Sequence, residues 1–243
     1  MAAETVSIET PNGEMAGFLV LPAETEPRPA VLVAQEAYGV DAHIRDVCRR
    51  LADAGHVALA PELYHRAGRH LAFDYRDFES ARPLLNGLTN AGLEADLHAA
   101  IGFLHAEPRV GLSPVSALGF CVGGFVAFLA ACRTEVAASV CFYGGGIVRA
   151  RPGAKMRPLL EEADRIHCPL LGLFGEEDAS IPADDVEAIR GRLARLGKTA
   201  EIVLYPGAGH GFFCDRRESY RPDAARDAWR RALAWLPRPH EPA

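Results

Sequence analysis

The side chain with the clearest catalytic context in this sequence is Cys121. It lies at the centre of the motif GFCVGG, residues 119–124, which directly follows the apolar run at 115–118. Glycines two positions before and after a nucleophile allow a tight turn from a strand into a helix, because larger side chains there would collide with the strand or the helix. The positive end of that helix favours thiolate over thiol. The alternative interpretation is an inert buried cysteine before an ordinary glycine-rich turn.

An acid and a histidine follow Cys121 in the order that a catalytic triad requires on a parallel sheet. Asp178 comes just after the apolar run at 171–174, and His210 follows the next run, in the segment GAGHGFF. We expect His210 to remove the thiol proton and later to protonate the leaving group, while Asp178 orients the imidazole and stabilises its charged form.

Each of these two residues also has a structural alternative. Asp178 has the acidic neighbours Glu176 and Glu177, and any of the three carboxylates could instead cap the helix expected after Pro182. Many loop histidines like His210 only make local hydrogen bonds. The joint occurrence of nucleophile, acid and histidine in the expected order favours the triad.

Glu36 is a fourth candidate catalytic residue. It ends an apolar run and precedes Ala37, in a loop that is expected to supply one oxyanion-hole N–H, with the second coming from Val122. A carboxylate near the sulfur would raise the thiol pKa and hold the resting cysteine less reactive until substrate arrives. The alternative is a glutamate that caps the helix after Asp41.

The elements that must position these residues alternate along the chain. Continuous apolar runs are typical of strands buried on both faces of a parallel sheet, and Asn12-Gly13 favours an initial antiparallel hairpin. The sequence therefore predicts an α/β fold: a mostly parallel central sheet with an N-terminal antiparallel hairpin and helices on both faces. The predicted strands are 6–10, 17–21, 30–34, 57–60, 115–120, 138–142, 170–174 and 202–205, and the predicted helices are 42–54, 92–106, 121–133, 183–197 and 223–236.

Length and composition limit the classes of protein to consider. A chain of 243 residues is expected to form one α/β domain over 1–243, and 49% hydrophobic and 24% charged residues are ordinary globular values. A net charge of −6 argues against nucleic acid as a partner, and the absence of a long apolar run or a secretory signal predicts a cytoplasmic protein without a membrane span. The six scattered cysteines fit reduced thiols.

The segment at about 64–90 is irregular, because it mixes histidines and arginines with aromatic residues and is longer than a simple crossover needs. We expect either a lid or substrate-binding segment, or a solvated helix with a loop.

Taken together, these motifs resemble the dienelactone hydrolase family of the α/β-hydrolase superfamily. The matching segments cover nearly the whole chain: QEAYGV at 35–40 with HIRD at 43–46, APELY at 60–64, GFCVGG at 119–124, Asp178, and GAGHGF at 207–212. The resemblance implies a Cys–His–Asp triad formed by Cys121, His210 and Asp178, assisted by Glu36, with no cofactor and no metal. It also implies that Glu36 takes the thiol proton when substrate displaces it.

The sequence departs from the family at one position. Family members that act on dienelactone resemble one another in an arginine four residues after the catalytic histidine, which holds the substrate carboxylate, and here that residue is Cys214. We therefore expect an incomplete carboxylate site and good turnover of neutral substrates. The candidate substrate-binding residues are Tyr38, Tyr64, Arg76, Arg82, Phe212 and Arg216, and Arg217 lies close by.

The leading functional hypothesis is hydrolysis of a small-molecule carboxylic ester or lactone through an acyl-cysteine intermediate, by a monomer or weak homo-oligomer. A thioesterase or an acyl transferase would use the same residues and differ in the acceptor and in the exclusion of water. A binding protein on a hydrolase scaffold is the third hypothesis, because a fold alone does not establish activity.

Overall fold

The computed structural model describes residues 1–239. One sheet of eight strands has the order β1-β2-β4-β3-β5-β6-β7-β8. The strands are β1 (Ala2–Thr10), β2 (Gly13–Leu21), β3 (Ala30–Ala34), β4 (Val57–Pro61), β5 (Val115–Phe120), β6 (Ser139–Phe142), β7 (Leu170–Gly175) and β8 (Ala200–Tyr205). The helices are α1 (Ala42–Asp53), α2 (Phe78–Gly87), α3 (Asn90–Ala106), α4 (Val122–Arg133), α5 (Ala183–Arg195) and α6 (Pro222–Trp235).

The hydrophobic pattern explains this architecture. Every residue of β3, β4, β5, β6 and β7 is buried, so helices and loops cover both faces of the central sheet. Strand β2 pairs antiparallel with both β1 and β4, and the pairs from β4 through β8 are parallel. The fold predicted from the apolar runs, a mostly parallel sheet with an N-terminal antiparallel hairpin and helices on both faces, is confirmed.

The parallel register determines where the site forms. Ala34 lies opposite Gly119, and Phe120 lies opposite Phe142. The residues that directly follow β3, β5, β7 and β8 therefore meet at one edge of the sheet, where parallel strands end.

The segment at 64–90 forms a loop followed by helix α2, and its role as a lid or substrate-binding segment stays a prediction. Helix α2 begins after Asp77, whose side chain accepts a hydrogen bond from the Ser80 N–H at 3.2 Å. The residues before α2 form a loop that contacts the segment between β3 and α1. The Phe73 N–H donates a hydrogen bond to the Tyr38 carbonyl at 3.0 Å. Within residues 1–239, no helix combines the length and the apolar character needed to cross a membrane.

Candidate active site

The backbone at Cys121 has the strained geometry of a nucleophile turn. Its φ is 56° and its ψ is −116°, a conformation that residues with a side chain rarely adopt. A Cβ added to Gly119 would lie 2.0 Å from the carbonyl oxygen of Gly123, and one added to Gly123 would lie 2.1 Å from that of Ala34. Only glycine fits at both positions, for the steric reason that the sequence suggested.

Three side chains from three loops meet at this turn. His210 Nδ1 lies 2.7 Å from Asp178 Oδ2, and Cys121 lies close enough to His210 for each residue to shift the pKa of the other. Asp178 is buried, whereas Glu176 and Glu177 are exposed, so the structure pairs only Asp178 with the imidazole. A second oxygen of Asp178 accepts from the Ser180 N–H at 2.8 Å, which fixes the carboxylate.

Electrostatics distinguish Cys121 from the other five cysteines, which are also free and buried. Burial opposes ionisation of the Cys121 thiol, but the His210 imidazolium and two arginines, Arg151 and Arg217, outweigh it and lower the thiol pKa to about 6. Burial correspondingly opposes charge on His210, but the thiolate and Asp178 raise its pKa to about 10. Burial raises the pKa of Cys141 to about 12 and that of Cys168 to about 11. The geometry thus supports a thiolate–imidazolium pair at neutral pH.

Glu36 is buried beside this pair with few partners. Neither of its carboxylate oxygens has a hydrogen-bond partner among the described residues, and the Arg217 Nη1 atom lies 3.6 Å from Oε1. Burial and the charge on Cys121 raise the pKa of Glu36 to about 7. The cap of α1 is instead Asp41, which accepts from the Ile44 N–H at 3.0 Å. Glu36 is therefore free of the capping role and is suited to proton transfer near neutral pH.

The acidity of the Cys121 thiol differs from the prediction made from the sequence, in which Glu36 held the resting cysteine less reactive. A charged Glu36 beside the sulfur opposes ionisation, as expected, but its own raised pKa leaves it partly protonated near pH 7. The cations around Cys121 dominate, so the resting thiol is more acidic than an ordinary cysteine, not less.

Of the two residues proposed for the oxyanion hole, Val122 directly follows the nucleophile, and Ala37 directly follows Glu36, whose carboxylate senses the charge on Cys121. Val122 is the first residue of α4, where N–H groups have no intrahelical acceptor. The loop that carries Ala37 is held by the Tyr64 hydroxyl, which donates to the Ala37 carbonyl at 2.9 Å, and by Gln35, which accepts from the Leu63 N–H at 3.1 Å. Their role in binding an oxyanion stays a prediction.

A cleft of about 580 Å³ opens onto His210. Arg76 and Arg216, both predicted from the sequence as substrate-binding residues, line it. Its other lining residues are Asp74, Tyr75, Arg217, Glu218 and Ser219. The segment before α2 therefore contributes directly to this opening.

The remaining predicted substrate-binding residues have different positions. Tyr38 packs edge-on against Tyr75, with ring centroids 4.7 Å apart, and Tyr64 is buried as a support for the Ala37 loop. Phe212 and Arg82 are corrections. Phe212 is fully buried against neighbouring aromatic rings, and Arg82 points from α2 into solvent, paired with Glu79, so neither reaches the cleft.

Arg217 bears on the expected incompleteness of the carboxylate site, which itself stays a prediction. Cys214 is fully buried and does not face the cleft, whereas Arg217 lines it. The Arg217 guanidinium lies 5.8 Å from the Tyr38 ring centre and 5.9 Å from that of Tyr75, in addition to its contact with Glu36. The Arg217 guanidinium therefore faces the cleft, and Arg217 is three residues after Cys214, the position at which the family resemblance led us to look for an arginine.

Arg151 and Tyr143 are site residues that sequence reasoning missed. Arg151 helps to lower the Cys121 pKa, and its Nη1 atom is buried without a hydrogen-bond partner in the described structure. Tyr143 follows β6 with φ of 37° and packs edge-on against His210, with ring centroids 5.2 Å apart. Tyr143 could have been identified from the sequence, because it directly follows a predicted strand and functional residues gather at the carboxyl ends of parallel strands.

Comparisons with known proteins agree with this architecture. The sequence profile of the Dienelactone hydrolase family matches residues 15–239. A protein of Synechocystis sp. with the provisional name carboxymethylenebutenolidase is 40% identical over 228 residues, which is 93% of this chain and 92% of that protein. A Bradyrhizobium protein with the provisional name 2-oxo-3-(5-oxofuran-2-ylidene)propanoate lactonase is 32% identical over 241 residues, or 97% of this chain and 96% of that protein.

A solved structure extends the comparison to three dimensions. The crystal structure of a provisionally named dienelactone hydrolase from Klebsiella pneumoniae superimposes with a TM-score of 0.87 at 36% identity, covering 96% of this chain and 97% of the other. With the fold, the thiol at the strand-to-helix turn and the profile match in agreement, this chain belongs to the dienelactone hydrolase family.

Proposed function

We propose that this protein hydrolyses a carboxylic ester or lactone through an acyl-cysteine intermediate on Cys121. The observation that carries the proposal is the arrangement of a thiol at a strained turn, beside a histidine that lowers the thiol pKa and whose Nδ1 lies 2.7 Å from a buried aspartate. Related proteins that are named as a butenolidase and a lactonase support the substrate class.

In the first half-reaction the Cys121 thiolate attacks the carbonyl carbon, and a carbon–sulfur bond forms. The N–H groups of Val122 and Ala37 stabilise the negative charge that develops on the carbonyl oxygen. His210 gives its proton to the leaving oxygen as the carbon–oxygen bond breaks. The product is a thioester on Cys121, and an opened lactone keeps its new hydroxyl on the same molecule.

In the second half-reaction water replaces the leaving group. His210 takes a proton from the water as its oxygen attacks the thioester carbonyl, and the tetrahedral intermediate then expels the Cys121 thiolate. The carboxylic acid leaves, and the imidazolium again pairs with the thiolate. Asp178 holds the imidazole in one orientation throughout.

Arg217 supports recognition of a substrate carboxylate. Its guanidinium faces the cleft and holds Glu36 only through the 3.6 Å contact between Nη1 and Oε1. A substrate carboxylate that forms a bidentate pair with Arg217 would compete with Glu36 for this cation, and Glu36 would then bind a proton more readily. This provides a route by which substrate binding places a proton on Glu36 and secures the thiolate.

The proposal is tested with a panel of activated esters, lactones and acyl thioesters, assayed with the wild type beside Cys121→Ala. Turnover of esters or lactones that depends on Cys121 supports the proposal. Faster turnover of thioesters, or acyl transfer to an added alcohol or amine in preference to water, would identify a thioesterase or a transferase instead. Binding of panel members without turnover would identify a binding protein.

Replacement of Arg217 tests the carboxylate-binding role. We expect Arg217→Gln to lower the specificity constant for a carboxylate substrate about ten- to a hundredfold relative to its matched methyl ester, because a charge-assisted contact contributes roughly 1.5–3 kcal/mol. Arg82→Gln is the matched control, since Arg82 lies in solvent on α2. An unchanged acid-to-ester ratio in Arg217→Gln would show that another residue, such as Arg76 or Arg216, binds the carboxylate.

Replacement of Glu36 separates its charge from its shape. Wild-type Cys121 should be alkylated by iodoacetamide with a rate that rises with pH through a midpoint near 6, and Glu36→Gln should move that midpoint to lower pH, because a neighbouring anion is removed. Turnover of a carboxylate substrate should nevertheless fall, because glutamine cannot bind the proton that Glu36 takes up when the substrate carboxylate pairs with Arg217. An alkylation profile and a turnover that both match the wild type would restrict Glu36 to a structural role.

A further inference from the structure

A second group of potential ligands lies outside the triad. Atoms of His43, Cys214 and Asp215 that could bind a metal all lie within 4.8 Å of one another, and this is the one such group of three found within residues 1–239. The three side chains come from two distant parts of the chain, helix α1 and the loop after His210. Their convergence is therefore a product of the tertiary fold.

His43 supplies an independent sign of a missing ligand. It is only 3% exposed, and its Nε2 atom is buried without a hydrogen-bond partner among the described residues. Its ring packs edge-on between Phe120 and Phe213, with ring-centroid distances of 5.6 and 5.8 Å. Because an unpaired buried polar atom is costly, a partner for the imidazole would stabilise the site.

The surroundings provide room for solvent beside two of the three residues. A cavity of about 320 Å³ adjoins His43 and Asp215, while Cys214 lies behind its lining. Its charged lining residues are Asp46, Arg50, Asp215 and Arg226, so the two acids are balanced by two arginines. Arg50 stacks over the Trp229 ring at 4.2 Å, which gives its guanidinium a partner other than the acids. A divalent cation would thus enter a cavity of near-zero net charge.

We propose that His43, Cys214 and Asp215 form a binding site for a divalent transition metal of the zinc type. An imidazole nitrogen, a thiolate sulfur and a carboxylate oxygen are all ligands that Zn²⁺ accepts, and three protein ligands leave a fourth position for water from the cavity. Cys214 binds as the thiolate: the metal–sulfur bond forms as the thiol releases its proton to solvent. The site is separate from the proposed ester hydrolysis, for which the family resemblance implies no metal.

The expected role of the ion is to tie helix α1 to the loop that carries the active-site residues. Cys214 and Asp215 lie between His210 and Arg217, so a metal held there would restrain both. The Tyr75 hydroxyl, which belongs to a residue lining the catalytic cleft, donates a hydrogen bond to Asp41, the N-cap residue of α1, so the cleft already contacts the helix that carries His43. Binding to the folded state alone raises thermal stability by mass action.

The test uses Co²⁺ as a spectroscopic probe in Cys121→Ala protein that has been treated with a chelator, because this background removes the catalytic thiol as a competing ligand. We expect a thiolate-to-cobalt charge-transfer band at one equivalent of metal, displaced by Zn²⁺, and an increase in the melting temperature with either ion. The band should disappear in Cys121→Ala/Cys214→Ser. Cys121→Ala/Cys168→Ser is the matched control and should keep it.

Asp215→Asn provides a second variant with little risk to the fold, because Asp215 is exposed. In the Cys121→Ala background we expect it to weaken Zn²⁺ binding at least about tenfold, while Asp223→Asn, an exposed aspartate on α6, leaves binding unchanged. No charge-transfer band in Cys121→Ala, or a band that survives Cys214→Ser, would overturn the proposal. Neither result would bear on ester hydrolysis, which the substrate panel tests separately.

Discussion

Cys121→Ala should lower ester turnover by at least about 10⁴-fold, because the variant lacks the atom that attacks the carbonyl carbon. The change removes only a sulfur atom, and alanine keeps the Cβ that the backbone at φ of 56° already accommodates. We therefore expect the circular dichroism spectrum to match that of the wild type. Steady-state kinetics on one activated ester measure the loss.

Cys132→Ala is the matched control for this experiment. Cys132 is a buried cysteine in α4, the helix that begins directly after the nucleophile, but burial raises its pKa instead of lowering it. Its replacement should leave turnover within a fewfold of the wild type. Undiminished turnover in a folded Cys121→Ala protein would exclude this residue as the nucleophile.

His210→Ala should cause a loss of similar size, and Asp178→Asn a loss of about 10⁴-fold, because the amide no longer holds the imidazole in its productive tautomer. Since members of a triad act as a unit, the double variant should be little worse than His210→Ala. Single-turnover measurements with the same ester give the comparison.

Glu176→Gln serves as the control for the aspartate, because Glu176 is exposed two residues before Asp178 and remains outside the hydrogen bond to His210. It should behave as the wild type. If Asp178→Asn retained full activity while Glu176→Gln or Glu177→Gln lost it, the orienting acid would have to be reassigned.

The strand framework could be predicted from the sequence because its signal is local. Continuous apolar runs mark strands that are buried on both faces, and all eight predicted runs correspond to strands. The triad candidates followed from the same pattern, since each comes just after the end of one of these strands. The glycines at 119 and 123 were informative because their contacts are with backbone atoms of adjacent elements.

The features that could not be predicted depend on tertiary contacts. Helix α2 includes Pro83 and has an exposed face, so its pattern in the sequence is weak. Arg217 could not be separated from Arg216 by spacing, because the loop after His210 has no regular period and only its path places one guanidinium beside Glu36. The pKa of Glu36 depends on burial by distant segments, which no neighbouring residue reveals.

The central claim is an acyl-enzyme on Cys121, and trapping it is the most direct test. The wild type is mixed with a slowly hydrolysed ester, quenched in acid and analysed by intact-mass and peptide mass spectrometry. We predict one added acyl group, located on the peptide that contains Cys121 and absent from Cys121→Ala. An acyl group on Cys132 or Cys214, or turnover of the ester without any adduct on Cys121 during the burst phase, would contradict the proposed mechanism.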